Sequence, residues 1–358
     1  MSDVSPLLTI AIPTWNRAAY LAQNLAQLRS ELSGKPLGQV EVLVSDNNSP
    51  DSTPAVVQNA TQSGMSIRYV RNDKNLGWAL NFAQCFDLAR GKYVLLLGDD
   101  DLLVDGALAL VLSRLVQRDY GVVCLRPYGF DEDFRTEYPG GSGGERIFRD
   151  ANQFLITINK CFTLTSACVL NKSLLCEVDS RQFATADLAM FHLMLRAALA
   201  AKENLFIEKY LIASKRQNSF AYDYGEVFVD QFWRIIDAHV AYGLRPELVR
   251  TLERQRILSY YPFYLLDLRL SGRGDLSKTR AHFANRFRKR WLFTCWLAPI
   301  LLLPRPLAIA WGSVTTVIGR VLGGQLRRGV VFAWRRLVRS LSSKEASSAG
   351  QMKERGLP

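Results

Sequence analysis

The sequence predicts an α/β fold: a mostly parallel sheet, then a helical region, then a C-terminal helical segment of different character. Three observations predict it. Short β-rich runs alternate with helix-length amphipathic patterns over the first hundred residues, each β-rich run ends in a polar cluster, and basic charge is concentrated near the C-terminus. Strands separated by single helices favour a parallel sheet covered on both faces, and such sheets bind ligands beyond their carboxyl ends.

The elements follow in order. Leu7 to Ile12 reads as a strand stopped by Pro13, and Arg17 to Leu32 as a helix with Tyr20, Leu21, Leu25 and Leu28 on one face. Val40 to Val44 is the second strand, with a helix starting near Ser52, and Ile67 to Val70 the third. Gly77 to Arg90 is helical, and Tyr93 to Leu97 is a fully apolar fourth strand. The four strand ends carry Pro13 to Arg17, Ser45 to Ser49, Arg71 to Asn75 and Gly98 to Asp101, which implies one shared crevice. A fifth strand near Gly121 to Leu125 leads into a glycine-rich loop from Asp131 to Glu145, read as a lid or a connector. Mixed structure continues to about Arg216, and Tyr224 to Leu270 has a helical pattern.

The chain of 358 residues has a formal net charge of +12. Fourteen Lys or Arg and no acid fall between Leu276 and Lys344, so the remainder is close to neutral. The six cysteines form no C-x-x-C pair and read as reduced, mostly buried thiols. Three scattered histidines argue against a zinc site or a histidine-based triad. The N-terminus shows no basic and apolar secretory pattern, so none is expected.

Asp99, Asp100 and Asp101 follow a buried strand, where adjacent carboxylates repel. A hard divalent ion with oxygen ligands, Mg²⁺ or Mn²⁺, relieves that repulsion and bridges to diphosphate; the alternative is a solvated acidic turn. Asp46 closes the second strand, where it can accept a hydrogen bond from a nucleobase. Trp15, in the facing turn, can stack on the base or simply pack. Lys74 and Arg71 are candidates for the diphosphate, or else surface charges.

These residues carry a resemblance. Ile10 to Arg17 (IAIPTWNR), Val44 to Ser49 (VSDNNS), Asn75 to Gly77 (NLG) and Gly91 to Asp101 (GKYVLLLGDDD) resemble the family 2 glycosyltransferases, which have the GT-A type of Rossmann-like sheet. The motifs cover roughly the first 110 residues, and a weaker likeness runs to about residue 220. The resemblance implies a nucleotide-sugar donor, a divalent metal and inversion at the anomeric carbon. On it, Pro13, Thr14, Trp15, Asn16, Arg17, Asp46, Asn47, Lys74, Asn75, Gly77, Asp99 and Asp100 are expected to bind the donor. Asp46 matches the base-reading aspartate, Asp99 lies near the ribose, and Asp100 or Asp101 holds the metal. Gly98 replaces the usual first acid of that motif.

An inverting transfer needs a carboxylate to take the acceptor proton. The run Thr185 to Met190 (TADLAM) sits at the family's distance, so Asp187 is the expected base, although Ala186 replaces the usual glutamate. The alternative is an Asp favoured by a helix dipole in a first turn. Thr163 to Cys168 resembles the acceptor-side strand, which makes Thr165 and Ser166 acceptor candidates. A histidine common in the family is absent from Ser214 to Ser219, so Lys215 or Arg216 is expected to meet the phosphates instead. The Gln-x-x-Arg-Trp signature of processive synthases is missing, which favours transfer of a single sugar.

The apolar run Trp291 to Leu303 is too short, at ~20 Å as a helix, to cross a ~30 Å hydrocarbon core, and Pro304-Arg305-Pro306 interrupts it. A re-entrant or in-plane element is expected there, with a tilted span or a soluble hairpin as alternatives. Gln325 to Leu341 reads as a basic amphipathic helix suited to anionic lipid, and nucleic acid is disfavoured by the tryptophan-bearing apolar runs. The expected organisation is a catalytic domain over 1–220, a helical extension over 221–285, a membrane-associating segment over 286–341 and a disordered tail over 342–358. The expected setting is the cytoplasmic face of an inner membrane, as a peripheral or monotopic enzyme with a lipid-linked or saccharide acceptor. A sugar nucleotidyltransferase lacks its glycine-rich loop here, and a catalytically silent nucleotide-binding scaffold is the other alternative.

Overall fold

The computed structural model describes residues 5–34, 38–141, 143–183, 187–188, 190–216, 223–272 and 274–322. The chain divides into two compact units, Met1–Val249 and Arg250–Pro358, so the division falls at 249/250 where the sequence suggested 220 and 285.

The first unit is built on a nine-stranded sheet in the order β3-β2-β1-β4-β8-β6-β9-β5, with β7 pairing β9. Its strands are β1 (Leu8–Thr14), β2 (Val40–Asp46), β3 (Ile67–Arg71), β4 (Tyr93–Leu96), β5 (Asp101–Leu103), β6 (Val122–Phe130), β7 (Glu145–Phe148), β8 (Cys168–Asn171) and β9 (Asn204–Lys215). The pairs β1–β2, β1–β4, β2–β3 and β6–β9 are parallel, while β8, β5 and β7 run antiparallel to their neighbours. The helices of this unit are α1 (Ala18–Leu32), α2 (Thr53–Gln62), α3 (Trp78–Leu88), α4 (Ala107–Gln117), α5 (Ala151–Ile158), α6 (Phe191–Ala200) and α7 (Phe232–Ala238). Helix α8 (Pro246–Gln255) contains the division between the units.

Alternation of strand and helix was enough to place β1 to β4; the apolar runs of β1, β2 and β4 are buried, and β3 is a half-buried edge strand. Two boundaries differ. β1 continues through Pro13 to Thr14, paired on one side with Ser45 and Asp46 of β2. Past Ala11 it has no ladder partner on the β4 side, and a strand position free on one side tolerates proline. β6 runs on to Phe130 because β9 pairs with it through two register shifts. Gly121 starts β6 against α6: a Cβ there would lie 2.3 Å from Ala197 O.

A buried acid sets the start of α4. Glu31, on α1, accepts from Gly106 N at 2.7 Å and Leu108 N at 2.9 Å, a carboxylate on free helical amides. Charge-assisted bonds of this kind are worth ~1.5–3 kcal/mol each. Glu31→Ala is expected to lower unfolding free energy by about 3 kcal/mol in urea; a loss under about 1 kcal/mol contradicts this account.

The loop from Asp131 to Glu145 is tethered to its surroundings over its described residues, an arrangement that suits a connector. Arg135 bonds both carboxylate oxygens of Asp105 and also Gln27, Phe134 is buried, and Gly144 O accepts from Glu208 N on β9. A Cβ on Gly143 would lie 2.2 Å from the β9 backbone.

The second unit contains α9 (Tyr261–Ser271), α10 (Leu276–Phe287), α11 (Ala298–Leu302) and α12 (Arg305–Leu322). The proline-rich break falls between α11 and α12, as the sequence implied. α12 packs with small residues: a Cβ on Gly319 would come within 2.3 Å of Leu258 O, and Gly312 faces Leu266. Its other side is apolar and open to solvent, with Leu307, Val314, Val317, Ile318, Val321 and Leu322 exposed. Among the described residues no helix is long and apolar enough to cross a membrane. The amphipathic pattern at 325–341 and the polar tail at 342–358 lie outside the described residues.

Candidate active site

The site is assembled at the carboxyl ends of β1, β2, β3 and β4. Two asparagines with positive φ, Asn16 (55°) and Asn48 (63°), turn the chain sharply after β1 and β2, a conformation asparagine tolerates better than most residues. The two turns are joined by Asn16 N donating to Ser49 Oγ and Asn47 N donating to Thr14 O, both at 2.9 Å. Trp15, 38% exposed, projects from the first turn with its ring free to stack.

Asp46 is fully buried and accepts from Ser49 N at 2.8 Å and from the Tyr69 hydroxyl at 2.5 Å, with Arg71 at 3.7 Å. Burial and the Asp46 charge push the Tyr69 phenol far up, so it remains a donor. Arg71 also bonds Asn48 Oδ1 and Ser49 O, so it braces the second turn. Lys74 stands exposed on the loop before α3.

Asn47 organises that loop. Its Oδ1 accepts from Asn72 Nδ2 (3.0 Å) and Leu76 N (2.9 Å), and its Nδ2 donates to Asn75 Oδ1 (2.7 Å) and Gly77 O (3.2 Å). Gly77 has φ +84°, a conformation that starts α3 directly afterwards and that side chains disfavour.

The acidic turn is held from both sides. Asp99 accepts from Thr14 Oγ1 at 2.8 Å and pairs with Arg17 at 3.2 Å, while Arg17 also reaches Asp100 at 2.8 Å. Asn24 on α1 donates to Gly98 O and Asp101 O. Ser166, wholly buried, takes a hydrogen bond from Gly98 N at 2.9 Å and bonds Asp101, as does Ser214. Ser166 therefore latches the turn from beneath and is shielded from any acceptor, which corrects its expected role; Thr165 is half-buried beside it. Gly98 sits in a tight place: a Cβ there would lie 3.1 Å from Asp100 Oδ1 and 3.2 Å from Asp101 Oδ2, so those carboxylates would have to give way slightly.

Asp99 and Asp100 share the Arg17 guanidinium, while Asp101 is bonded by the Ser166 and Ser214 hydroxyls. Burial, and then the neighbouring charge of Asp100, push Asp99 and Asp101 up to about 7. Asp99 and Asp101 are buried, whereas the side chain of Asp100 is 18% exposed. The oxygen-only donor set and its crowded acids fit a hard cation such as Mg²⁺ or Mn²⁺, with Asp100 the most exposed of the three carboxylates. Among the described residues no group of three or more His, Cys, Asp or Glu forms a ready ligand shell, so most ligands would come from phosphate and water.

The shifts fix a sign. A carboxyl raised from about 3.9 unfolded to about 7 folded favours the folded state only while protonated, so stability falls as pH rises from about 4 to 7. A three-unit shift corresponds to ~4 kcal/mol for one group. The thermal midpoint without metal is expected to drop across this range, and Mn²⁺ to restore it chiefly above pH 7. A metal effect equal at pH 5 and pH 8 contradicts this.

Asp187 stands in a turn ahead of α6, not in the helix's first turn, so the dipole alternative does not describe it. Trp78 Nε1 donates to Oδ1 at 3.2 Å and Gln231 Nε2 to Oδ2 at 3.1 Å. Thr185 and Ala186 lie outside the described residues. Lys215 and Arg216 turn their cationic ends to the 131–137 loop: Lys215 bonds Asp131 O, and Arg216 pairs with Asp131 (2.8 Å) and Glu137 (3.0 Å).

Hydrogen bonds run from the acidic turn through Thr14 and Asn47 to the 75–77 loop, and the next residue of the chain, Trp78, bonds Asp187. Asn24, Tyr69, Trp78, Ser214 and Gln231 were not singled out from sequence. Asn24 had left a signal, a polar residue set among Leu21, Leu25 and Leu28 on the apolar face of α1.

Residues 9–178 match the family model described as Glycosyl transferase family 2, and this part of the chain is a domain of that family. It is 33% identical over 110 residues to the GalNAc(5)-diNAcBac-PP-undecaprenol beta-1,3-glucosyltransferase of Campylobacter jejuni, covering 30% of this chain and 34% of that protein. It is 34% identical over 110 residues to the abequosyltransferase RfbV of Salmonella typhimurium, covering 30% and 32%. The matching stretch thus spans about a third of these curated relatives. In fold it is similar to S. aureus TarS 1-349 in complex with UDP-GlcNAc, with TM-score 0.56, 17% identity, and 89% and 92% of the two chains covered. It is also similar to the mannosyltransferase PcManGT from Pyrobaculum calidifontis in complex with GDP-Man and Mn²⁺, with TM-score 0.52, 14% identity, and 88% and 86% covered.

Proposed function

We propose that this chain is an inverting glycosyltransferase that moves one sugar from a nucleoside diphosphate sugar to an acceptor hydroxyl. The observation that carries the reading is the path of hydrogen bonds and one peptide link that joins the acidic turn to Asp187 through the turn that follows Asp46. Trp15 stacks on the base, and Asp46, fully buried with both oxygens bonded in this structure, accepts from the base once Ser49 N or the Tyr69 hydroxyl gives way. Pro13, Asn16 and Asn75 shape the wall of the donor cleft, and Asp99 lies toward the ribose. Asp100 would hold Mg²⁺ or Mn²⁺, which when bound supplies charge neutralisation for the departing diphosphate. Asp187 takes the acceptor proton as the hydroxyl attacks from the opposite side.

The acceptor is a lipid-linked saccharide in envelope or surface-glycan assembly, and the chain works at the cytoplasmic face of a membrane. Two observations support this: the undecaprenol-linked name of the Campylobacter relative, and the uncharged, solvent-facing side of α12. An exposed apolar stripe in the same unit as exposed basic residues such as Arg288 and Lys289 suits an anionic interface.

The test is a panel of UDP-, GDP-, CDP- and dTDP-sugars with Mn²⁺, read as nucleotide release. Release from one donor, lost in Asp100→Ala, is expected; no release from any donor contradicts the reading. Binding to vesicles containing anionic phospholipid, weakened by Val317→Glu, is the companion measurement. Equal binding by both proteins would remove α12 from the account.

A further inference from the structure

We propose that Trp78 and Gln231 are positioning residues that aim the Asp187 carboxylate, and that Trp78 ties this aim to the donor-binding loop. The inference rests on the reading of Asp187 as the base.

Each carboxylate oxygen of Asp187 receives one neutral donor, the indole N–H at 3.2 Å and the Gln231 amide at 3.1 Å. Gln231 adds a second contact, because its Oε1 accepts from the Asp187 backbone N at 2.7 Å. One side-chain amide thus grips both the backbone and the side chain of residue 187. With the peptide and both carboxylate oxygens engaged, rotation of the side chain costs a hydrogen bond in either direction. A carboxylate oxygen accepts two bonds, so each still has capacity for an acceptor hydroxyl.

The two donors are held for this purpose. Gln231 is 6% exposed and ends a wide π-type turn, Glu226–Gln231, directly before α7. Such turns redirect single side chains and recur at functional sites. Glu226 Oε1 lies 3.5 Å from the same amide nitrogen. Trp78 is the first residue of α3, placed by the positive φ of Gly77 and by the Asn47 bonds to Leu76 and Gly77, and its ring meets Phe82 edge-on at 5.5 Å. The loop that Asn47 shapes on the donor side therefore ends in the indole that touches Asp187. A shift of this loop moves the indole N–H relative to the carboxylate, so donor-side order and the direction of proton transfer are joined.

Three variants test this. Trp78→Phe keeps the ring contact and removes the N–H, Gln231→Met keeps volume and removes the clamp, and Gln231→Glu places a second carboxylate beside Asp187. With the donor that the panel identifies, kcat is expected to fall about 10- to 100-fold in the first two, with donor KM within twofold. In Gln231→Glu the acid limb of the pH–rate profile is expected to move up by about one pH unit or more, since like charges favour the protonated form. Unchanged kcat in both Trp78→Phe and Gln231→Met, at wild-type thermal midpoints, overturns the inference while leaving the proposed function standing. A substrate-free readout separates the two readings if no donor turns over. The indole ¹H–¹⁵N resonance of Trp78, assigned by its loss in Trp78→Phe, is expected to shift in Asp187→Asn and to titrate in wild type. A resonance indifferent to both overturns the inference directly.

Discussion

Asp187→Asn is expected to lower sugar transfer by about 10³-fold or more while donor affinity stays within twofold of wild type. General base catalysis contributes about 10²–10⁴-fold, and loss of the base removes that factor from the chemical step alone. The replacement is nearly isosteric, so the turn before α6 retains its shape. The asparagine oxygen still accepts from either Trp78 or Gln231, but the second site now carries an NH₂ facing a donor. That mismatch costs about 1–3 kcal/mol and predicts a lower thermal midpoint alongside the lost activity. Steady-state transfer together with calorimetric titration of the nucleotide separates the effects. Transfer that survives within tenfold assigns the proton to another group.

The second large effect falls on stability. Asn47 is 2% exposed and makes four side-chain hydrogen bonds, to Asn72, Asn75, Leu76 and Gly77. Asn47→Ala removes all four and leaves the Leu76 amide short of a partner, while Gly77 O keeps the Asn81 amide. At ~1 kcal/mol net for each bond the loss is about 3–4 kcal/mol. Asn47→Asp is expected to be little better, since the oxygen replacing Nδ2 would face the acceptors Asn75 Oδ1 and Gly77 O. The same variants should raise donor KM, because the 75–77 loop loses its brace. Urea unfolding that changes by less than about 1 kcal/mol would show that the network is redundant.

Much of this architecture was legible because the signals are local. The runs around Ile10, Val42 and Leu95 are too apolar for anything but a sheet covered on both sides, and acids placed after such runs must meet at one edge. β5 was not legible: Asp101, Leu102 and Leu103 form a strand only because Ser214, Ala213 and Ile212 of β9 lie beside them. The same distance in sequence hid the partners of the base. Trp78 lies 109 residues from Asp187 and Gln231 lies 44, and neither spacing leaves a periodic trace. Ser166 was misread for a related reason. A hydroxyl next to an acceptor-like strand has the same sequence appearance whether it points to the cleft or, as here, beneath Gly98. The cationic ends of Lys215 and Arg216 were equally undetermined until the 131–137 loop folded back to meet them.

The claim on which the rest depends is that the ends of β1, β2 and β4 and the turn at Asp187 form a single donor-and-acceptor site. A crystal structure grown with Mn²⁺ and the nucleoside diphosphate of the active donor, with manganese placed by anomalous scattering, measures this most directly. The account predicts manganese in contact with Asp100, the base against Trp15 and Asp46, and Asp187 across an open sugar-sized space from the terminal phosphate. Manganese or nucleotide bound away from Asp100 and Asp46 would contradict it.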